Sequence, residues 1–89
     1  MTSSQLGANP LSTLEQVTEL VRELLDTDHP LTPDTRPADV EEWDSLANIN
    51  IVFALEQEFG VFFDDDEVAN FATIGDVAAG VDAARERAA

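Results

Sequence analysis

Residues 41–60 read EEWDSLANINIVFALEQEFG, and the role of Ser45 within them is the main question that the sequence raises. Asp44 is a good N-cap, because its carboxylate can accept hydrogen bonds from N–H groups of the next turn that lack helical partners. An apolar-rich run then extends to Phe59, and Gly60 stops it. The sequence therefore predicts a helix over residues 45–59, with Ser45 as its first residue.

The apolar side chains of this helix fall into two groups when they are placed at about 100° per residue. The first group contains Ile51, Val52, Leu55 and Phe59, and the second contains Leu46, Ile49 and Phe53. One group must face the core. Either the helix is buried on two sides, or the second group lies exposed beside Ser45 as a small docking patch.

Before this stretch, Ser12-Thr13-Leu14-Glu15 is a capping-box sequence that predicts a first helix at about 13–27. Its apolar stripe is formed by Leu14, Val17, Val21, Leu24 and Leu25. Residues 1–11 show no periodicity and are predicted to be a flexible N-terminal tail, so that the domain spans residues 12–89.

Three prolines between positions 28 and 42 predict a long loop that has room for a short helical turn. We expect Trp43 to anchor the end of this loop by packing.

After Gly60, the acidic run Asp64-Asp65-Asp66-Glu67 suits the N-terminus of a short third helix. Thr73-Ile74-Gly75-Asp76 resembles another capping start, and a fourth helix should continue from it and fray near Ala88. No segment alternates apolar and polar residues for long enough to predict a strand. The fold class expected is all-α: a four-helix bundle with a long loop between helices one and two and a short third helix.

The composition restricts the classes of partner. The chain has 89 residues and a formal net charge of −15, from 19 carboxylates against four arginines and no lysine. Such a field repels nucleic acid and anionic membranes and attracts basic protein surfaces. No segment is long and apolar enough for a membrane span, and the start MTSSQLGANP lacks the features of a signal peptide. We therefore expect a cytoplasmic monomer that binds proteins.

Ser45 has two simple interpretations besides a binding role. As a structural residue, it suits the first turn of a helix. As a catalytic nucleophile it lacks support, because His29 is the only histidine and there is neither a lysine nor a Gly-x-Ser-x-Gly motif. A calcium loop starting at Asp64 would need glycine at its sixth position and glutamate at its twelfth, where the chain has Ala69 and Gly75. Neither catalysis nor metal binding is predicted.

The residues around Ser45 resemble the signature of acyl carrier proteins. The resemblance rests on Asp44-Ser45-Leu46, the Leu-Glu-x-x-Phe phrase at 55–59 and the acidic run at 64–67, and it covers about residues 12–88. It implies that Ser45, flanked by Asp44 and Leu46, receives 4′-phosphopantetheine from coenzyme A through a phosphopantetheinyl transferase. The terminal thiol of that arm would hold an acyl group as a thioester. The protein would then be a carrier and not an enzyme, which fits a chain without cysteine.

By the same resemblance, the second helix recognises partner enzymes. The expected docking residues are Leu46, Ile49, Asn50, Phe53, Glu56 and Gln57. The expected partners are the transferase, an acyl-loading enzyme (an acyltransferase or an adenylate-forming ligase) and a downstream synthase or transferase.

Some positions depart from fatty-acid carriers. Trp43 stands where those often have glycine, and Ala47, Asn48 and Asn50 replace residues that are frequently acidic or otherwise polar. This pattern is more similar to discrete carriers of polyketide or other natural-product pathways. Two alternatives stay open: a peptidyl (aminoacyl) carrier, less favoured because Gly-Gly-x-Ser-Leu is absent, and an unmodified acidic helical adaptor.

Overall fold

The computed structural model describes residues 12–88, which form four α-helices and no strand. The helices are α1 (Thr13–Leu25), α2 (Ser45–Phe59), α3 (Asp65–Ala69) and α4 (Ile74–Ala88). A 3-10 turn at Pro37–Asp39 lies inside the long connection between α1 and α2. The predicted all-α bundle, with its long first loop and short third helix, is confirmed. The tail predicted at residues 1–11 lies outside the described residues.

Side chains at the helix ends explain where α1 starts and stops. The backbone N–H of Glu15 donates to Ser12 Oγ at 3.1 Å, and the Ser12 N–H donates back to Glu15 Oε1 at 3.0 Å. At the other end Asp26 adopts a left-handed conformation with φ of 50°, and its N–H donates to the Arg22 carbonyl at 2.9 Å. Aspartate tolerates this conformation better than most residues. α1 therefore ends at Leu25, two residues before the predicted end at about 27.

The core lies where α1 packs against both α2 and α4. Its fully buried side chains come from all three of these helices and from the loops: Val17, Val21, Val40, Ile51, Leu55, Ile74 and Val81. One member of the predicted α1 stripe is misplaced, because the Leu24 side chain is 45% exposed. It lies in the last turn of α1, where Leu25 fills the core instead.

The long loop is held against the bundle by hydrogen bonds to α4 and by buried side chains. The N–H groups of Ile74 and Gly75, in the first turn of α4, donate to the carbonyls of Thr35 at 3.0 Å and Pro33 at 2.8 Å. These bonds satisfy donors that have no partner within the helix. Val40 and Trp43 are buried near the end of the loop. The loop therefore holds the start of α2, and with it the exposed Ser45, in place on the surface of the bundle.

Candidate functional site

The site is built around the first turn of α2. The Asp44 carboxylate accepts a hydrogen bond from the Ala47 N–H at 2.8 Å and so caps the helix, as predicted. Ser45 is exposed, and its hydroxyl makes no hydrogen bond to any part of the chain that the structure describes. The backbone N–H groups of Ser45 and Leu46 likewise have no acceptor within residues 12–88. The Ser45 hydroxyl, which forms no hydrogen bond within the described residues, therefore lies at the N-terminus of α2. There the free N–H groups and the helix dipole stabilise an anion.

A groove of about 590 Å³ runs beside Ser45. Its walls come from the long loop, α2 and the segment after α3, and include Pro37, Trp43, Asn48, Ile49 and Phe71. Trp43 is 5% exposed, which confirms its predicted packing role. Phe71 packs edge-on against the buried ring of Phe63, with centroids 5.3 Å apart. The groove beside the hydroxyl is therefore lined by apolar side chains, of which Trp43 and Phe71 pack against the interior.

The exposure of the side chains of α2 shows which of its two apolar groups faces the core. Ile51 and Leu55 of the first group are buried, whereas Leu46, Ile49 and Phe53 are 67%, 64% and 62% exposed. The interpretation that buried both groups is therefore wrong. The second group forms an apolar surface that begins next to Ser45.

The polar members of the predicted docking set differ in their surroundings. Asn50 and Gln57 are exposed, while Glu56 is half-buried. One carboxylate oxygen of Glu56 accepts a hydrogen bond from the Phe63 N–H at 3.0 Å. Glu56 therefore also stabilises the fold, because this hydrogen bond connects α2 to the segment that leads into α3.

Sequence reasoning missed Phe62, which is 76% exposed and is the most exposed large apolar residue in the described part of the chain. Its neighbours Val61 and Phe63 are both buried. The three-residue apolar run gave no hint of which ring would face outward. All three residues are apolar, so the run contains no alternation of apolar and polar residues that could have identified the outward-facing ring.

The acidic run and His29 serve local structure. Asp64 and Glu67 form a capping box at α3, with the Glu67 N–H donating to Asp64 Oδ1 at 2.8 Å. Within residues 12–88, no group of three or more acidic, histidine or cysteine side chains is placed to hold a metal ion. His29 is exposed, and its Nδ1 lies 2.8 Å from the Pro30 carbonyl oxygen. In the same described residues, no helix is long and apolar enough to cross a membrane.

Comparison with known proteins gives the class to which this site belongs. Residues 15–81 match the family model described as a phosphopantetheine attachment site. An acyl carrier protein of Thermosynechococcus vestitus is 34% identical over 70 residues, covering 78% of this chain and 86% of that protein. One from Acidothermus cellulolyticus is 52% identical over 33 residues, or 37% of this chain and 39% of that one. The solution structure of holo acyl carrier protein from Geobacter metallireducens superimposes with a TM-score of 0.78, at 32% identity, over 88% and 91% of the two chains.

The chain belongs to the acyl carrier protein family. It is therefore a non-catalytic carrier that bears 4′-phosphopantetheine and interacts with a phosphopantetheinyl transferase and with acyl-handling enzymes. The first turn of α2 fits this group, since the Ser45 hydroxyl is exposed and unengaged and the free N–H groups of Ser45 and Leu46 suit a phosphate. The adjoining groove offers apolar walls to the rest of the arm.

Proposed function

We propose that Ser45 is the attachment residue and that residues 12–89 form the carrier domain. The observation that carries this proposal is the exposed Ser45 hydroxyl, free of intramolecular hydrogen bonds within residues 12–88, at the first position of a capped 15-residue helix. When bound, the group supplies the thiol that carries acyl groups as thioesters, which the chain's own side chains cannot do without cysteine. Asp44 holds the helix start through Ala47, and Leu46 borders the hydroxyl on the exposed side.

The carrier is proposed to serve a polyketide or related natural-product pathway. An acyltransferase or an adenylate-forming ligase would load it, and a synthase or transferase would take the cargo. Support comes from the face of α2, where Ala47, Asn48 and Asn50 stand at positions that are frequently acidic or otherwise polar in fatty-acid carriers. An acyl cargo is favoured over an aminoacyl one because the curated relatives are acyl carrier proteins.

The test of attachment is the intact mass after incubation with coenzyme A and a broad-specificity phosphopantetheinyl transferase. The wild type should gain one phosphopantetheinyl group and Ser45→Ala none. Ser12→Ala is the matched control, since Ser12 is also exposed at a helix start, and it should be modified like the wild type. Modification of Ser45→Ala, or no gain in a folded wild type, would contradict the proposal and leave the unmodified adaptor as the better interpretation.

A further inference from the structure

Asn48 presents a hydrogen-bond donor in the groove beside Ser45. Its side-chain oxygen accepts a hydrogen bond from the indole N–H of Trp43 at 3.0 Å. Because an indole N–H can only donate, this contact determines which end of the Asn48 amide is the oxygen. The side-chain nitrogen of Asn48, Nδ2, forms no hydrogen bond within residues 12–88. Trp43 therefore sets the orientation of the amide, and the NH2 group of Asn48 remains available to a ligand.

No other described side chain that lines this groove offers a free N–H donor. Three of the lining residues have apolar side chains: Pro37, Ile49 and Phe71. The Asp44 carboxylate only accepts hydrogen bonds, and the N–H of Trp43 is already engaged. The hydroxyl of Ser45 is the proposed point of attachment. The groove thus combines apolar walls and one carboxylate with the single NH2 group of Asn48.

A neutral carbonyl oxygen is the acceptor that suits this donor. Asn48 is partly buried, and a polar group in such a position is stabilised by a hydrogen-bond partner. A second anion in the groove would be repelled by the carboxylate of Asp44. Beyond its phosphate, the 4′-phosphopantetheine arm has a dimethyl-substituted carbon and then an amide carbonyl. Both kinds of group that the groove can bind are therefore present in the first part of the arm.

The position of Asn48 on α2 selects this first part of the arm. Asn48 follows Ser45 by three residues, and residues at this spacing are neighbours on a helix surface, with Cβ atoms about 5–6 Å apart. The thiol and its cargo lie much further along the arm. An acidic residue at position 48 could not act in the same way, because a carboxylate has no hydrogen to donate.

We propose that Asn48 binds the arm close to its attachment point. Nδ2 of Asn48 donates a hydrogen bond to the amide carbonyl nearest the phosphate, and Ile49 and Phe71 pack against the dimethyl-substituted carbon. Trp43 is a positioning residue, since it acts on the arm through the amide of Asn48. The inference rests on the proposed attachment at Ser45. In this arrangement the chain holds the start of the arm, while the thiol end stays free to reach partner enzymes.

NMR of the isotopically labelled protein tests the contact directly. The apo form is compared with the holo form, whose gain of phosphopantetheinyl mass is confirmed first. The side-chain NH2 signals of Asn48 should shift on conversion, and their protons should show nuclear Overhauser effects to the methyl groups of the arm. Asn50 is the internal control, because it is exposed on the same helix and does not line the groove. Its NH2 signals should stay in place.

Asn48→Asp removes the donor but keeps an oxygen for the indole N–H of Trp43. In the wild type, Tm of the holo form should exceed that of the apo form by about 4–8 °C, the shift expected from one hydrogen bond in a domain of this size. In Asn48→Asp, this gain should fall to less than half. Asn50→Asp adds the same charge to α2 without removing the donor, so it should retain the gain. Intact mass confirms that each variant is fully converted.

Trp43→Phe tests the positioning role. The variant keeps an aromatic ring in the buried position but lacks the indole N–H. The Asn48 amide is then no longer held in one orientation, so the shift of its NH2 signals on conversion and the gain in Tm should both become smaller. A purely structural role of Trp43 would lower Tm of the apo and holo forms alike and leave the difference between them unchanged.

The remaining outcomes distinguish this inference from the proposed attachment. Normal gain of mass with unmoved Asn48 signals would overturn the inference and leave the attachment at Ser45 intact. An equal loss of the Tm gain in Asn48→Asp and Asn50→Asp would assign the effect to charge and would also overturn it. If the folded wild type gains no phosphopantetheinyl mass, the attachment proposal fails, and this inference fails with it.

Discussion

The indole N–H of Trp43 donates a hydrogen bond to the side-chain oxygen of Asn48 across 3.0 Å. Trp43 belongs to the loop before Ser45, and Asn48 belongs to the helix after it, so this bond connects the chain on both sides of the hydroxyl. Trp43 is almost fully buried and Asn48 partly buried. This partly buried hydrogen bond helps to set the direction in which the loop enters α2.

Replacing Asn48 by alanine should destabilise the fold by about 1–3 kcal/mol, because the buried indole N–H would lose its acceptor. Asn50→Ala is the matched control on the exposed face of the same helix and should change the free energy of unfolding by less than about 0.5 kcal/mol. Urea denaturation followed by circular dichroism gives both values.

A second readout is specific for the hydrogen bond. Trp43 is the only tryptophan, so an NMR spectrum of the protein holds one indole N–H signal. That signal should shift in Asn48→Ala and stay in place in Asn50→Ala. An unshifted signal in Asn48→Ala would show that the bond does not form in solution.

Trp43 also illustrates how far the sequence predicts this site. Its burial was predicted, because a large aromatic residue at the end of a proline-rich loop is typical of a packing anchor. Its partner was not, since the bond to Asn48 depends on the backbone angles at the loop–helix junction, which no residue pattern specifies. The same limit explains Phe62: periodicity predicts faces of long helices, but it gives no direction for three residues between helices.

The helix starts were predictable for a different physical reason. A capping box is a local arrangement within four residues, so Ser12 and Thr73 were predicted as caps without knowledge of the tertiary structure. The acidic run at 64–67 was predicted only to suit a helix N-terminus, and the capping box at Asp64 is a finding of the structure. In the structure, the side chains of Ser12, Asp64 and Thr73 each accept a hydrogen bond from the backbone N–H three residues later, at Glu15, Glu67 and Asp76. The end of α1 was predicted less well, because Asp26 stops the helix by a left-handed conformation that aspartate adopts only in some contexts.

Gly80 is predicted to control the wall of the groove beside Ser45 through Phe71. A Cβ atom at position 80 would lie 2.5 Å from Cε1 of the Phe71 ring, which is closer than real contacts allow. Gly80→Ala should therefore displace the Phe71 ring and lower stability by about 1–3 kcal/mol, as overpacking does. Thermal or urea unfolding measures the loss.

A smaller side chain at position 71 provides the control. Combining Gly80→Ala with Phe71→Leu should relieve the clash, so the double variant should be more stable than the sum of the two single changes predicts. Strict additivity in this double-mutant cycle would mean that the new methyl group does not press on the Phe71 ring.

The capping box of α1 makes a prediction for low pH. The backbone N–H of Ser12, followed by its hydroxyl, holds the pKa of Glu15 below the ordinary value of 4.5. A carboxylate whose pKa is lower in the folded state stabilises the fold above its unfolded pKa, and this contribution disappears as the pH falls through the folded pKa. The stability difference between wild type and Glu15→Gln should therefore shrink as the pH falls below about 4.5.

An NMR titration of the Glu15 carboxyl group checks the cause directly. Its midpoint should lie below 4.5 in the wild type. In Ser12→Ala it should move only part of the way to 4.5, because the backbone N–H at position 12 remains available. A wild-type midpoint at or above 4.5 would contradict the assigned hydrogen bonds.

Self-repulsion among the carboxylates should make the fold sensitive to salt. Glu41 is exposed and lies close in sequence to Glu42 and Asp44, immediately before the site, while the structure gives it no ion pair. Glu41→Gln should therefore raise Tm at low ionic strength by relieving repulsion. The gain should vanish as added NaCl shortens the Debye length from about 30 Å at 0.01 M to about 3 Å at 1 M.

Glu67→Gln is the matched control for this change, since Glu67 makes the one ion pair within residues 12–88, to Arg87 at 2.9 Å. The same loss of one negative charge should here lower Tm slightly, because an exposed pair contributes about 0.2–1 kcal/mol. Opposite shifts of Tm for the two variants at low salt, converging at high salt, would show that the position of a carboxylate matters as well as the net charge. Equal increases in both variants would mean that net charge alone limits stability.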